Sequence, residues 1–260
     1  MLNSTTHPSK IEVNRRNLLD SGVNFSGLVV DTPTDSLSTV HRCSYRLFRY
    51  PVYQVADLST SLCGIPLRNP ILAASGTYAY GVEFRDLVDL SKIGGIVTKG
   101  LSREPIDGNP PPRIWETHGG MLNSIGLQNI GVRAFVAEKL PDLRSLNTVI
   151  VANVFGYKMA DYLEALKVLE DASGIAAYEL NVSCPNTESG GMFFSSDPAL
   201  LYEIVAKARA ASKRPLFVKL SPNVAKIEPL AKAAQDAGAD AISLVNTFVG
   251  LAIDAVSRKP

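Results

Sequence analysis

Cysteine, histidine and tryptophan are all scarce in this sequence, and the scarcity narrows what the protein can be. Its 260 residues hold three cysteines (Cys43, Cys63, Cys184), three histidines and one tryptophan. An odd, sparse cysteine set builds no disulfide framework and points to a reducing, cytoplasmic setting. His7, His41 and His118 are scattered, and no Cys/His spacing matches a zinc site, so no protein-bound metal is expected. Charge of one sign is also lacking. A formal net charge of +1 and a pI of about 7.7 argue against a nucleic-acid or membrane-surface binder. A small anionic ligand stays open, because a few local lysines can serve it. No apolar run approaches the length of a membrane span. The N-terminus has neither the apolar stretch nor the small-residue cleavage site of a secretory signal.

What remains is ordinary globular material, 46% hydrophobic and 20% charged, enough to fill a sizeable core. Residues 1–56 show mixed polarity and no sustained period, with clusters such as Asp31-Thr-Pro-Thr-Asp-Ser36, and read as a low-order extension. From residue 57 to 260 a rhythm sets in. Short apolar runs suited to buried parallel strands (71–74, 95–98, 149–152, 178–182, 216–220, 241–245) alternate with segments of helical period (84–90, 134–140, 162–171, 198–211, 227–237). Asp197-Pro198 predicts a capped helix start, and Gly238 a helix end.

Strand–helix repetition means a parallel sheet with right-handed crossovers, either doubly wound or a TIM-type (β/α)8 barrel. The first strand runs into Ser75-Gly76-Thr77-Tyr78, which lacks the glycine spacing of a dinucleotide-binding turn. The barrel is favoured because almost every strand ends in a polar residue: Ser75, Lys99, Asn153, Asn181, Lys219, then Asn246-Thr247. In such barrels, functional groups converge from the C-terminal strand ends onto one mouth.

These strand ends also carry a family likeness. Residues 58–260 resemble the dihydroorotate dehydrogenases, specifically the soluble class 1 and within it the class 1B catalytic subunit. The matching segments are Asn69-Pro-Ile-Leu-Ala-Ala-Ser-Gly-Thr77, Val97-Thr-Lys-Gly100, Pro111-Pro-Arg-Ile114, Leu122-Asn-Ser-Ile-Gly-Leu127, Asn181-Val-Ser-Cys-Pro-Asn186, Val218-Lys-Leu-Ser-Pro222 and Val245-Asn-Thr247. Ala74-Ser-Gly-Thr77 looks more like the NAD-linked type than the fumarate-reducing one. The quinone-dependent type usually has serine where Cys184 stands.

The resemblance implies FMN as cofactor and oxidation of dihydroorotate to orotate in UMP biosynthesis, with Cys184 as general base. It implies a substrate site of Lys99, Asn123, Ser124, Ile125, Gly126, Leu127, Asn181, Asn246 and Thr247. The flavin would be met by Ser75, Gly76, Lys99, Gly100, Asn153, Asn181, Lys219 and Val245. Glu188-Ser-Gly-Gly-Met192 would act as a lid. An FAD and iron–sulfur electron-transfer subunit is the implied partner, in a homo- or hetero-oligomer. A related dihydropyrimidine dehydrogenase and an inactive fragment are the competing readings.

A complete barrel has eight strands and about 250 residues, whereas six strand candidates occur here. The glycine turns that hold the FMN phosphate in the family find no match after Asn246. The expectation is an incomplete barrel that binds FMN weakly and works poorly by itself. Cys63 is expected to be buried and inert.

Overall fold

A computed structural model describes residues 56–183, 185–186 and 192–259. The extension at 1–56, apart from its last residue, lies outside the described residues. So do Cys184 and most of the lid segment.

Six strands form one sheet: β1 (Leu72–Ala73), β2 (Gly95–Val97), β3 (Val149–Val154), β4 (Ala177–Asn181), β5 (Leu216–Lys219) and β6 (Ala241–Ser243). All neighbouring pairs are parallel and follow chain order, with no reversal of the kind a doubly wound sheet requires. The sheet is also curled. Lys219 Nζ donates to Ser75 Oγ at 3.2 Å, joining the C-terminal ends of β5 and β1. In a flat sheet those ends would lie about 19 Å apart, four strand spacings of about 4.8 Å, far beyond one lysine's reach. The strands therefore wrap as part of a (β/α) barrel.

Alternation within each strand separates two cores. Ile96, Ile150, Ala152, Tyr178, Leu180, Leu216 and Val218 face outward into the layer shared with the helices. Val97, Val151, Ala177 and Phe217 face inward, packed with Leu62, Ile65, Val149 and Ala241. Leu62 and Ile65 belong to an antiparallel hairpin, Thr60–Leu62 with Ile65–Leu67, turned at Cys63-Gly64 with φ of 50° and 79°. This hairpin plugs the N-terminal end of the barrel, where the Cys63 thiol donates to the Asp240 carbonyl at 3.3 Å. Cys63 is thus exposed at a turn and not buried, contrary to expectation. A two-residue turn has no room to bury its side chain.

Among the described residues, the helices that cover the outer face include α1 (Met159–Glu170), α2 (Pro198–Ala211) and α3 (Glu228–Asp236). In α1, Tyr162, Ala165, Leu166 and Leu169 are buried, and in α2 Leu201, Ile204, Val205 and Ala208, both at the spacing of one helical face. Each buried leucine or isoleucine contributes about 1.5–3 kcal/mol. Asp197 caps α2 by accepting from the amides of Ala199 and Leu200 at 2.8 and 2.9 Å. Gly238, with φ 97°, ends the α3 turn as expected.

Two helix expectations need correction. Residues 84–90 hold no α-helix, only 3-10 turns at Val82–Phe84 and Leu90–Lys92. Leu87 is 80% exposed, so the apolar spacing there has no core face to meet. The segment at 134–140 belongs to a longer helical stretch, Gly131–Ala134, a π-helical Phe135–Lys139 and Leu140–Ser145. Pro141 lacks an amide hydrogen and crowds the preceding turn, which accounts for the wider winding just before it. Among the described residues no helix is long and apolar enough to cross a membrane.

Arg214, in the loop before β5, ties α1 to the sheet. Its guanidinium donates to the carbonyls of Leu169 (2.8 Å), Ala172 (2.7 Å) and Glu170 (3.4 Å), and to the Tyr178 hydroxyl. Leu169 and Glu170 lie in the last turn of α1, where carbonyls have no amide of a following helical turn to accept from. Arg214→Met is expected to cost about 2–4 kcal/mol, the penalty of several polar groups left unpaired. Urea unfolding measures it, and a loss below 1 kcal/mol would remove Arg214 from this role.

Candidate functional site

The inward positions near the C-terminal strand ends carry polar side chains in place of the aliphatic ones below them. Asn153 on β3 and Glu179 on β4 are register partners one layer above Val151 and Ala177. Asn181 and Lys219 pair one layer higher, at the ends of β4 and β5. The alternation that buries Val151 and Ala177 thus delivers Asn153, Glu179, Asn181 and Lys219 to the same interior.

Several expected residues meet there. Ser75 accepts from Lys219. Asn181 Oδ1 accepts from Asn246 Nδ2 at 2.8 Å and from the Ser183 amide at 3.3 Å, and the Asn181 carbonyl accepts from the Tyr162 hydroxyl at 2.8 Å. Asn246 Oδ1 in turn accepts from the Thr247 amide at 2.7 Å. Asn153 is buried, its amide Nδ2 donating to Glu179 Oε1 at 2.6 Å, while its Oδ1 has no partner. Gly76 leaves open space where a side chain would stand, and at Gly100 a Cβ would come within 3.0 Å of Asn153 Oδ1 and of the Phe155 ring.

Lys99 follows β2, held by its amide's bond to the Ala79 carbonyl at 2.7 Å. Partial burial lowers its pKa, repulsion from Arg113 lowers it further, and Glu83 opposes both. Lys99 lines a cavity of about 370 Å³ with Tyr80, Gln128 and Asn129. The Asn123–Leu127 segment takes its hydrogen bonds from its own loop. Asn123 ends a hairpin strand opposite Ile114, the Ser124 amide donates to the Arg113 carbonyl, and Asn109 holds the carbonyls of Ser124 and Ile125. Gly126 and Leu127 have φ of 75° and 59°. No hydrogen bond engages the amide N–H groups of Ile125, Gly126 and Leu127 among the described residues, which leaves three donors free on one turn. Val245 sits elsewhere, in a groove with Pro222, Val224, Ile227 and Phe248.

Two residues escaped the sequence reading. Glu179 is a buried interior carboxylate, and only the inward phase shared by residues 177, 179 and 181 could have revealed it. Arg113, quoted only as part of a motif, is pinned by the Asn109 carbonyl and Gln128 and acts on Lys99 through its charge.

The site's donor set suits a flat, electron-accepting heterocycle. It offers a cation at Lys219, an unsatisfied buried acceptor at Asn153, and side-chain-free backbone at Gly76 with open space beside it.

The family described as "Dihydroorotate dehydrogenase" matches residues 57–260. The chain is 65% identical over 204 residues to "Putative dihydroorotate dehydrogenase A (fumarate)" of Solibacter usitatus. It is 54% and 52% identical, also over 204 residues, to proteins of Pelobacter propionicus and Geotalea uraniireducens, both named "Dihydroorotate dehydrogenase B (NAD(+)), catalytic subunit". In each case the match covers 78% of this chain and 67% of the relative.

Proposed function

Because the chain belongs to the dihydroorotate dehydrogenase family, we propose that its strand-end cluster binds FMN and oxidises (S)-dihydroorotate to orotate, a step of pyrimidine nucleotide synthesis. The supporting observation is the meeting of Lys219 with Ser75 and of Asn181 with Asn246 at one rim, from strands far apart in sequence.

The reaction removes a proton from C5 and a hydride from C6 of the substrate. FMN, when bound, supplies the hydride acceptor, its N5. Cys184 takes the C5 proton as a thiolate base on the opposite face. Asn181 and Asn246 carry both donors and acceptors, so they match the alternating N–H and C=O edge of a pyrimidine ring. Thr247 and Asn123 flank that edge. Lys99 and the free amides of Ile125, Gly126 and Leu127 hold the substrate carboxylate, a cation beside a turn of N–H donors. Lys219 places positive charge where negative charge gathers on the reduced cofactor. Ser75 steadies that lysine, Asn153 offers its carbonyl to the ring, and Gly76 and Gly100 shape the walls beside it. In this reading the segment Glu188-Ser-Gly-Gly-Met192 shuts water out during the proton transfer.

The proposal assigns residues 57–260 to the flavin barrel and leaves 1–56 without a role. Relatives named as a catalytic subunit imply a partner subunit. In this reading it carries FAD and an iron–sulfur centre and passes the electrons to NAD. The fumarate name of the Solibacter protein makes fumarate the competing acceptor.

The test is anaerobic reduction. The chain is mixed with FMN and then with dihydroorotate or dihydrouracil while flavin absorbance is followed. Bleaching by dihydroorotate alone is the expected result. Bleaching by dihydrouracil alone would move the protein to dihydropyrimidine oxidation, and no bleaching by either would leave the chain non-catalytic.

A further inference from the structure

Glu179 has no part in the chemistry above, yet it stands in the barrel interior, 5% exposed, on the inward face of β4. None of the ion pairs among the described residues includes it. An interior carboxylate without a cation beside it is costly to keep, and an apolar or amide side chain of similar size would fill the space at lower cost. Among the described residues its side chain is bonded to Asn153 Nδ2, at 2.6 Å across the β3–β4 ladder.

That bond has a directional consequence. A carboxylate only accepts, so of the two ends of the Asn153 amide, just the NH2 can face it. The carbonyl oxygen must then turn the other way. It points to Gly100, where a Cβ would stand 3.0 Å from it, and it is buried without any donor. Gly100 follows Lys99 at the end of β2, and any side chain there would press on this oxygen and on the Phe155 ring. A glutamine at position 179 would behave differently. It could accept from the Asn153 NH2 or donate to the Asn153 carbonyl, and the amide would lose its single orientation.

We infer that Glu179 is a positioning residue that locks the Asn153 amide, so that its carbonyl oxygen is presented as an acceptor to a ring N–H entering beside Gly100. The ligand class this selects is a heterocycle with an imide N–H on its edge, and the inference rests on the flavin reading, in which the isoalloxazine imide is that donor. Glu179 acts through Asn153 and touches neither substrate nor cofactor.

The full chain allows a test with two independent readouts. In the protein without flavin, the Asn153 side-chain NH2 gives a pair of 15N–1H resonances, assigned by their loss in Asn153→Ala. Glu179→Gln is expected to shift that pair and to increase its exchange with water. FMN titration, followed by quenching of flavin fluorescence, gives the second readout. Glu179→Gln is expected to raise the Kd for FMN about tenfold, or about 1.4 kcal/mol, in the wild-type background, and by less than twofold in the Asn153→Ala background. The thermal midpoint of Glu179→Gln should stay level or rise, since a buried charge has been removed, and a purely structural role would lower it. Unchanged Asn153 resonances, or equal losses of FMN affinity in both backgrounds, would overturn the inference while leaving the flavin reading intact. A wild-type chain that binds no FMN would overturn both.

Discussion

Mixed anaerobically with dihydroorotate, Cys184→Ser is expected to bleach its flavin about 10²–10⁴ times more slowly than the unsubstituted chain, the range contributed by a positioned acid–base group. The substitution is nearly isosteric, so binding of flavin and substrate should be preserved while the base is lost. A free thiol ionises near pH 8.5 and a serine hydroxyl far above it. The unsubstituted rate should therefore climb with pH as the thiolate population grows, and the serine variant should show no such limb below pH 10. Both features follow from where Cys184 falls in the chain. Asn181 is fixed at the end of β4 by bonds to Asn246 and to the Tyr162 hydroxyl, and the Ser183 amide is bound to the Asn181 side chain. The cysteine is the next residue in the sequence after this anchored turn. Equal bleaching rates in the two proteins would remove Cys184 as the base and shift attention to a water or to another residue of the same loop.

The sequence reading succeeded where local chemistry and topology coincide. Asp197-Pro198 and Gly238 mark helix boundaries because capping depends on the residues at the boundary itself, and both helices end where these residues predict. The strand-end polar residues were legible for a related reason. In a parallel barrel every strand points the same way, so polar residues at successive strand ends reach one rim whatever the details between them. Readings failed where a distant partner decides. The 84–90 segment has helical spacing, but Leu87 finds no face to bury against. Cys63 looks like a small core residue until the hairpin turn is seen to hold it outside. Glu179 sits in Tyr-Glu-Leu-Asn, where alternation alone cannot say which face is solvent and which is barrel interior. The shared phase with Asn181 is the one hint within the strand, and the register pairing of Glu179 with Asn153 is visible only in the fold.

Lys219→Met should be the most damaging change on the cofactor side. Methionine keeps the apolar stem, so the packing above Phe217 survives and only the ammonium is lost. Lys219 ends β5 in register with Asn181 and Ser243, and its side chain crosses the mouth to Ser75, so the charge lies over the layer that contains Asn153 and Glu179. A flavin bound there would gain negative charge on its pyrimidine side when reduced, and the Lys219 cation would stabilise that state more than the oxidised one. Removing a preorganised donor of this type typically costs 10²–10³ in rate, about 2.7–4 kcal/mol. The expected result is a bleaching rate reduced by that factor, together with a flavin midpoint potential shifted to more negative values. Lys219→Arg should recover part of the potential, because charge returns although the planar guanidinium fits the Ser75 contact less well. Ser75→Ala should have a much smaller effect, since it removes the tether and not the charge. If Lys219→Met retained the wild-type potential, the lysine would be a structural bridge between β5 and β1, and the cation acting on the flavin would have to be Lys99. Burial and Arg113 already hold Lys99 below its ordinary pKa, so a rate that depended on it would fall on the alkaline side as its proton leaves.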